Sequence, residues 1–239
     1  MKVSTKTRGE RRMPGRLAVA GLMLAVTFLA VVIIAAAPAR AAVGCSLNDP
    51  DRDVIRLFPT ATSYRTEFVS IEERGGDTLA ARVEVALGDE LDDVFESLDV
   101  PYAYYTVLTG TDPIGRIHGV NQKGMYGGMQ LILATDMTGV IKAFYYQRLS
   151  SPESGRFRNE DFTSGFVGLT LDDLLVLNAA VPGGDAELPD RLAIIKDPSE
   201  ESREDFEATV RGLTKNLILL HEFFSIETDE TPDSEGGTR

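Results

Sequence analysis

The chain has 239 residues, with 24 Lys plus Arg against 37 Asp plus Glu, a net charge of −13, one cysteine and two histidines. That length allows one or two domains. A single cysteine excludes an internal disulfide, two histidines more than a hundred residues apart leave no expected zinc or haem site, and so acidic a chain repels nucleic acid and anionic lipid headgroups.

Residues 1–41 read as a signal peptide or a membrane anchor. Lys2, Lys6, Arg8, Arg11, Arg12 and Arg16 form a basic head, and residues 17–38 carry no charge, enough to span a bilayer as a helix. Ala39-Arg40-Ala41 satisfies the small-residue rule for signal peptidase cleavage after Ala41. Arg11-Arg12 is a twin arginine, but Met13-Pro14-Gly15-Arg16 is a poor continuation of a Tat signal. The segment leaves cleavage and anchoring both open. It places the remainder outside the cytoplasm, in the periplasm or at the outer face of the cytoplasmic membrane. It holds seven Lys or Arg and one Glu, so the 198 residues that follow carry −19. Ala42-Val43-Gly44-Cys45 resembles a bacterial lipobox with Ala where Leu is usual; the other reading of Cys45 is a buried, idle thiol.

One domain is expected over residues 46–226, followed by a disordered acidic tail, 227–239, with Glu227, Asp229, Glu230, Asp233 and Glu235 among small polar residues. Asn48-Asp49-Pro50 opens a short helix, with Asp49 as N-cap and Pro50 in its first turn. Residues 62–71 and 78–87 read as strands, the second from the alternation Leu79, Ala81, Val83, Val85, Leu87. Residues 90–98 read as a helix with Leu91, Val94, Phe95 and Leu98 on one face. Residues 102–108 and 114–120 pair about Gly110-Thr111-Asp112-Pro113.

Gly124-Met125-Tyr126-Gly127-Gly128 then leads into an apolar strand, the turn Asp136-Met137-Thr138-Gly139 and a second apolar strand through Phe144, Tyr145 and Tyr146. Being apolar on both faces, the two strands are expected at the centre of a sheet. A glycine-rich loop of this kind lets backbone N–H groups approach a ligand, although such a loop is also simply a hairpin. Residues 150–164 are polar and irregular, 171–178 helical, and 192–195 a short buried strand. In the last segment Ser202 and Asp205 have capping-box spacing, and Phe206, Val210, Leu213, Leu217 and Leu220 recur at helical steps. The fold class is α+β: a mainly antiparallel sheet covered by a C-terminal amphipathic helix, behind a single N-terminal membrane or signal segment.

Taken in order, these motifs resemble the FMN-binding domain family, known from the flavin subunits of Rnf and sodium-pumping NADH:quinone reductase complexes. The resemblance covers roughly residues 102–224. It rests on Gly124 through Phe144, on Pro152 and Gly155 of Ser150-Ser151-Pro152-Glu153-Ser154-Gly155, and on Phe162-Thr163-Ser164-Gly165-Phe166-Val167-Gly168-Leu169. It implies FMN as cofactor, electron transfer rather than a stand-alone enzyme, subunits of a membrane redox complex as partners, and a flavin transferase. In the family, Ser-Gly-Ala-Thr opens the last helix and its Thr carries FMN through a phosphoester. Here that stretch is Phe206-Glu207-Ala208-Thr209, and Arg203 stands at the upstream Asp. Glu207 sets a negative charge beside a dianion, and Thr209 lies within the helix, where a surface threonine is expected.

Flavin is therefore expected to be held non-covalently. The candidate cofactor-binding residues are Lys123, Gly124, Tyr126, Gly127, Gly128, Arg156 and Thr209, with Arg158 as a further cation and Tyr145 and Tyr146 as second choices for an aromatic wall. The alternatives are a flavin-free binding or assembly subunit of a cell-envelope complex on the same fold, and an unrelated extracytoplasmic binding protein with a similar hairpin.

Overall fold

Five strands follow one another across a single antiparallel sheet: β1 (Ser63–Val69), β2 (Tyr102–Thr109), β3 (Asp112–Gly124), β4 (Gly127–Thr135) and β5 (Ile141–Arg148). This computed structural model describes residues 45–92, 94–183 and 188–225. The expected signal or anchor segment, its cleavage point and the acidic tail lie outside the described residues. Within them, no helix is long and apolar enough to cross a membrane.

The helices, in chain order, are α1 (Pro50–Leu57), α2 (Ile71–Arg74), α3 (Gly76–Leu87), α4 (Ser154–Phe157), α5 (Glu160–Ser164), α6 (Leu171–Ala180), α7 (Asp190–Ala193) and α8 (Arg203–Ser225). Side chains alternate across the strands. Tyr102, Tyr104, Val120, Met129, Leu131, Leu133, Phe144 and Tyr146 enter a large core with α3, α6 and α8. Ala103, Tyr105, Val107, Ile117, Ile132 and Ala134 enter a smaller one with Cys45, Leu47, Val54 and Phe58. The sheet is thus sandwiched between a helical layer and the segment that carries α1.

Helix α8 buries Phe206, Val210, Leu213, Leu217 and Leu220 as its periodicity predicts, each worth about 1.5–3 kcal/mol. Its mid-helix glycine has a packing reason: a Cβ on Gly212 would run into Leu131 Cδ1 and the Gln122 side chain. Gly212 forgoes about 1 kcal/mol of helix propensity and lets the helix lie directly on β3 and β4.

Several expectations are corrected. Residues 76–87 are helix, not strand. Leu79, Val83 and Leu87 fit a step of four as well as a step of two, and the tie is broken by buried Ala80 and exposed Val85. Gly88, at φ +73°, is the left-handed residue that ends this helix. The described residues of 90–98, namely 90–92 and 94–98, are not helical. Asp92 takes the Val94 and Phe95 N–H groups on its own carboxylate, and Glu96 reaches back to the Asp92 N–H at 2.6 Å. Residues 190–193 form a helical turn closed on the Pro189 carbonyl, not a strand. The stretch 150–164 contains the short helices α4 and α5, whose Phe157 and Phe162 are buried. Of the two apolar strands, β4 is interior but β5 is an edge strand. It is apolar on both faces because Phe157, Phe162 and Phe166 cluster near Phe144 and Tyr146 on one side, while α1 lies beyond Tyr145 on the other.

Candidate functional site

The glycine-rich segment is a tight hairpin. Gly124 pairs with Gly127 across the two-residue turn Met125-Tyr126, and Gly127 sits at φ +117°, a region that favours glycine. The other two glycines permit close packing. A Cβ on Gly124 would stand 2.7 Å from Asp205 Oδ1, and one on Gly128 would stand 2.7 Å from the Phe95 ring. The Met125 N–H is not free for a ligand, because it donates to Asp205 Oδ1 at 2.8 Å. Asp205 therefore does not close the expected capping box. It spends one oxygen on the hairpin while Ser202 meets Ser151 through their hydroxyls at 3.5 Å.

The three segments behind the resemblance do meet at the start of α8: the hairpin through Asp205, the Pro152 loop through Ser202, and residues 162–169 through the Phe162 ring, 6.1 Å from that of Phe206. The Tyr146 hydroxyl lies 2.8 Å from Thr209 Oγ1, which itself donates to the Asp205 carbonyl at 2.6 Å. Thr209 is fully buried rather than on the helix surface. Its proton goes to Asp205 and its lone pair to Tyr146, so no free hydroxyl is presented for a phosphoester. Burial drives the Tyr146 phenol far above its ordinary pKa and keeps it a neutral donor.

Around the hairpin, the other candidates separate. Tyr126 is half exposed at the turn, and Lys123 points outward with its ammonium 4.0 Å from Asp92 Oδ2. Arg156 is not brought to the hairpin; it pairs with Glu153 at 2.6 Å and lines a different cleft with Ile194 and Lys196. Arg158 donates to the Tyr146 carbonyl on the far side of β5. A phosphate placed on the hairpin amides would face the Asp205 carboxylate, whose Oδ2 is buried and has no hydrogen-bond partner. The residues at that point do not fit the phosphate of FMN.

Beside the hairpin, where β3 ends, a cleft of about 710 Å³ opens between α3, α6 and the start of α8. Val85, Leu87, Leu175, Ala179, Val181 and Pro182 give it an apolar wall, Asn178, Gln122 and Arg211 are polar points within it, and Lys123 stands at its rim. Glu207 and Ala208 of the stretch aligned with the flavin-attachment motif also border it. This is the size and lining of a small-molecule site.

The floor of the cleft is fixed by a buried ionic cluster. The Lys215 ammonium, fully buried, pairs with Glu96 and donates to the Asn121 carbonyl at 2.7 Å. Arg211 bonds Glu96 Oε1 at 2.8 Å, Asp89 at 2.7 Å and Gln122 Oε1 at 2.8 Å. Burial lowers the Lys215 pKa to about 8 in spite of Glu96, whereas Glu96 is held below its ordinary value because Lys215 and Arg211 outweigh the cost of burying it. The cluster is ionised at neutral pH and ties Asp89 and Glu96, which lie outside helix and strand, to α8. One local signal points to it: Lys215-Asn216 interrupts the apolar stretch of α8. Asn216 clamps His118, taking its Nδ1 proton at 2.8 Å and donating to its carbonyl at 3.1 Å. His118 is a packing residue, stacked on Tyr104 with ring centroids 4.0 Å apart.

No protein-family model and no curated protein matches the chain.

Proposed function

We propose that the protein is an extracytoplasmic FMN-binding-like module that holds flavin non-covalently in the cleft beside Lys123 and carries electrons within a membrane-associated redox system. The observation that carries this reading is the 710 Å³ cleft, which joins an apolar wall to a cation at its rim and borders Glu207-Ala208, next to the point where the family attaches its cofactor. The wall of Leu87, Leu175, Ala179 and Pro182 suits an isoalloxazine ring, and Lys123 at the rim is the cation that would face the phosphate, against the Asp89 and Glu207 carboxylates of the same lining. Bound FMN would supply the one- and two-electron chemistry; the chain supplies binding, orientation and charge. A flavin transferase finds no exposed hydroxyl at Thr209. Subunits of a membrane redox complex are the partners this reading implies.

Two facts favour a second reading, a flavin-free binding or assembly subunit of a cell-envelope complex. Asp205 already occupies the hairpin amide, and Phe95 covers Gly128. The two readings part on titration with FMN, followed by quenching of flavin fluorescence. The first predicts saturable quenching by the wild-type protein and its loss in Ala179→Trp, which fills the cleft from an exposed position without disturbing the core. Absence of quenching by the wild type, or quenching that survives Ala179→Trp, removes the flavin from this cleft.

A further inference from the structure

At the outer side of edge strand β5, three guanidinium groups surround a cleft of about 340 Å³: Arg52 and Arg56, one turn apart on α1, and Arg158, just past α4. In a chain that carries −19 after residue 41, this is a local reversal of sign. The acidic residue among the lining, Asp53, is already committed. Its Oδ1 faces Arg56 at 3.2 Å and Arg52 at 3.9 Å, and its Oδ2 accepts from the Tyr145 hydroxyl at 3.1 Å. Asp49 Oδ2 also lies 3.8 Å from Arg52 Nε, so three cations against two carboxylates leave one net positive charge at the cleft.

Two of the three guanidiniums are held in place before any ligand arrives. Arg56 lies over the Tyr145 ring at 4.1 Å. Arg158 donates to the Tyr146 carbonyl and sits 5.8 Å from that ring's centroid. Such fixing lowers the ordering cost that long side chains ordinarily exact on binding. The neutral groups nearby do not oppose an anion: Gln147 spans the Ser46 carbonyl and the Asn48 N–H at 2.8 and 3.1 Å.

We propose that the Arg52, Arg56 and Arg158 cleft binds a phosphoryl group of a small soluble compound. Guanidiniums approaching from two elements need an acceptor with oxygens in more than one plane. A carboxylate offers two coplanar oxygens and satisfies one fork, whereas a terminal phosphoryl group offers three. Aromatic stacking is not part of the recognition, since Arg56 already covers Tyr145. The cleft is distinct from the one beside Lys123, and its test uses no flavin, so either proposal can fail alone.

The test is isothermal titration of the full chain with pyrophosphate and with inorganic phosphate, against chloride and citrate at matched ionic strength. Saturable binding of pyrophosphate, weaker binding of phosphate, and about tenfold loss in Arg158→Gln support the proposal, with Lys123→Gln unchanged. Arg52→Gln, at an exposed position, serves if the Arg158 variant does not fold, and it too is expected to lose affinity. No pyrophosphate heat with the wild type, equal binding of citrate, or undiminished affinity in the arginine variants overturns it.

Discussion

Asp205 Oδ1 accepts the Met125 backbone N–H at 2.8 Å, so the first turn of α8 and the β3–β4 hairpin are joined by one charged hydrogen bond between residues 80 positions apart. The carboxylate stands where a ligand phosphate would otherwise meet the hairpin, and it makes Gly124 a structural necessity.

Asp205→Ala should remove this charged hydrogen bond, leave the part-buried Met125 N–H without its partner and destabilise the protein by about 1–3 kcal/mol. Asp205→Asn, which keeps an acceptor oxygen, should cost less than Asp205→Ala. Urea unfolding measures both, and equal stability of the alanine variant and the wild type would show the bond to be idle.

The buried ion cluster predicts strong non-additivity. Lys215→Met strands Glu96 beside Arg211 alone and should cost about 3–5 kcal/mol, while the pair Lys215→Met with Glu96→Leu should recover a substantial part of that loss. Denaturation of the two single variants and the double variant completes the cycle.

His118 makes stability depend on acid. Burial lowers its pKa from an ordinary 6.5 to about 3. The unfolded chain therefore takes up a proton that the folded chain refuses. The resulting stability is complete above about pH 6.5 and is lost as pH falls toward 3, at about 1.4 kcal/mol per pH unit once the unfolded histidine is charged. His118→Phe should flatten the stability profile between pH 6.5 and 4 by that slope; an unchanged profile would contradict the burial of a neutral imidazole.

Cys45 packs in the smaller core against Gly119, and burial pushes its thiol pKa up to about 12. Thiol reagents should label the folded protein slowly at pH 8 and rapidly in denaturant. Fast labelling of the folded protein would contradict this burial, and no labelling even in denaturant would mark a capped sulfur, as the lipobox reading requires.

Much of the sheet was legible in the sequence because its signals are local. Gly110-Thr111 and Asp136 to Gly139 carry turn chemistry between apolar runs, and Asp49-Pro50 marks the start of α1. The helix at 76–87 was misread because Leu79, Val83 and Leu87 satisfy both periods, although Gly88 offered a helix stop. The 90–98 segment was misread because its apolar spacing is helical, while its course is set by Glu96 reaching Lys215 and Arg211, partners more than a hundred residues away. The candidate site was legible only in part. Lys123 and the glycines lie together, but the cleft wall comes from α3 and α6, which no motif pointed to. The aromatic and cationic candidates Tyr145, Tyr146 and Arg158 converge instead at the edge of β5.

Thr209→Val should cost about 1–3 kcal/mol by leaving the Tyr146 hydroxyl unpaired, and it should not alter flavin content. Thermal melting reads the first effect and absorbance the second; loss of flavin without loss of stability would give Thr209 the attachment role its burial denies.

The most direct measurement is the visible absorbance spectrum of the protein purified from a bacterial envelope, taken before and after acid precipitation. Flavin bands in the native sample that pass into the supernatant on precipitation are the predicted result. A colourless protein that stays colourless after incubation with FMN, or colour that remains in the pellet, contradicts non-covalent flavin in the cleft beside Lys123.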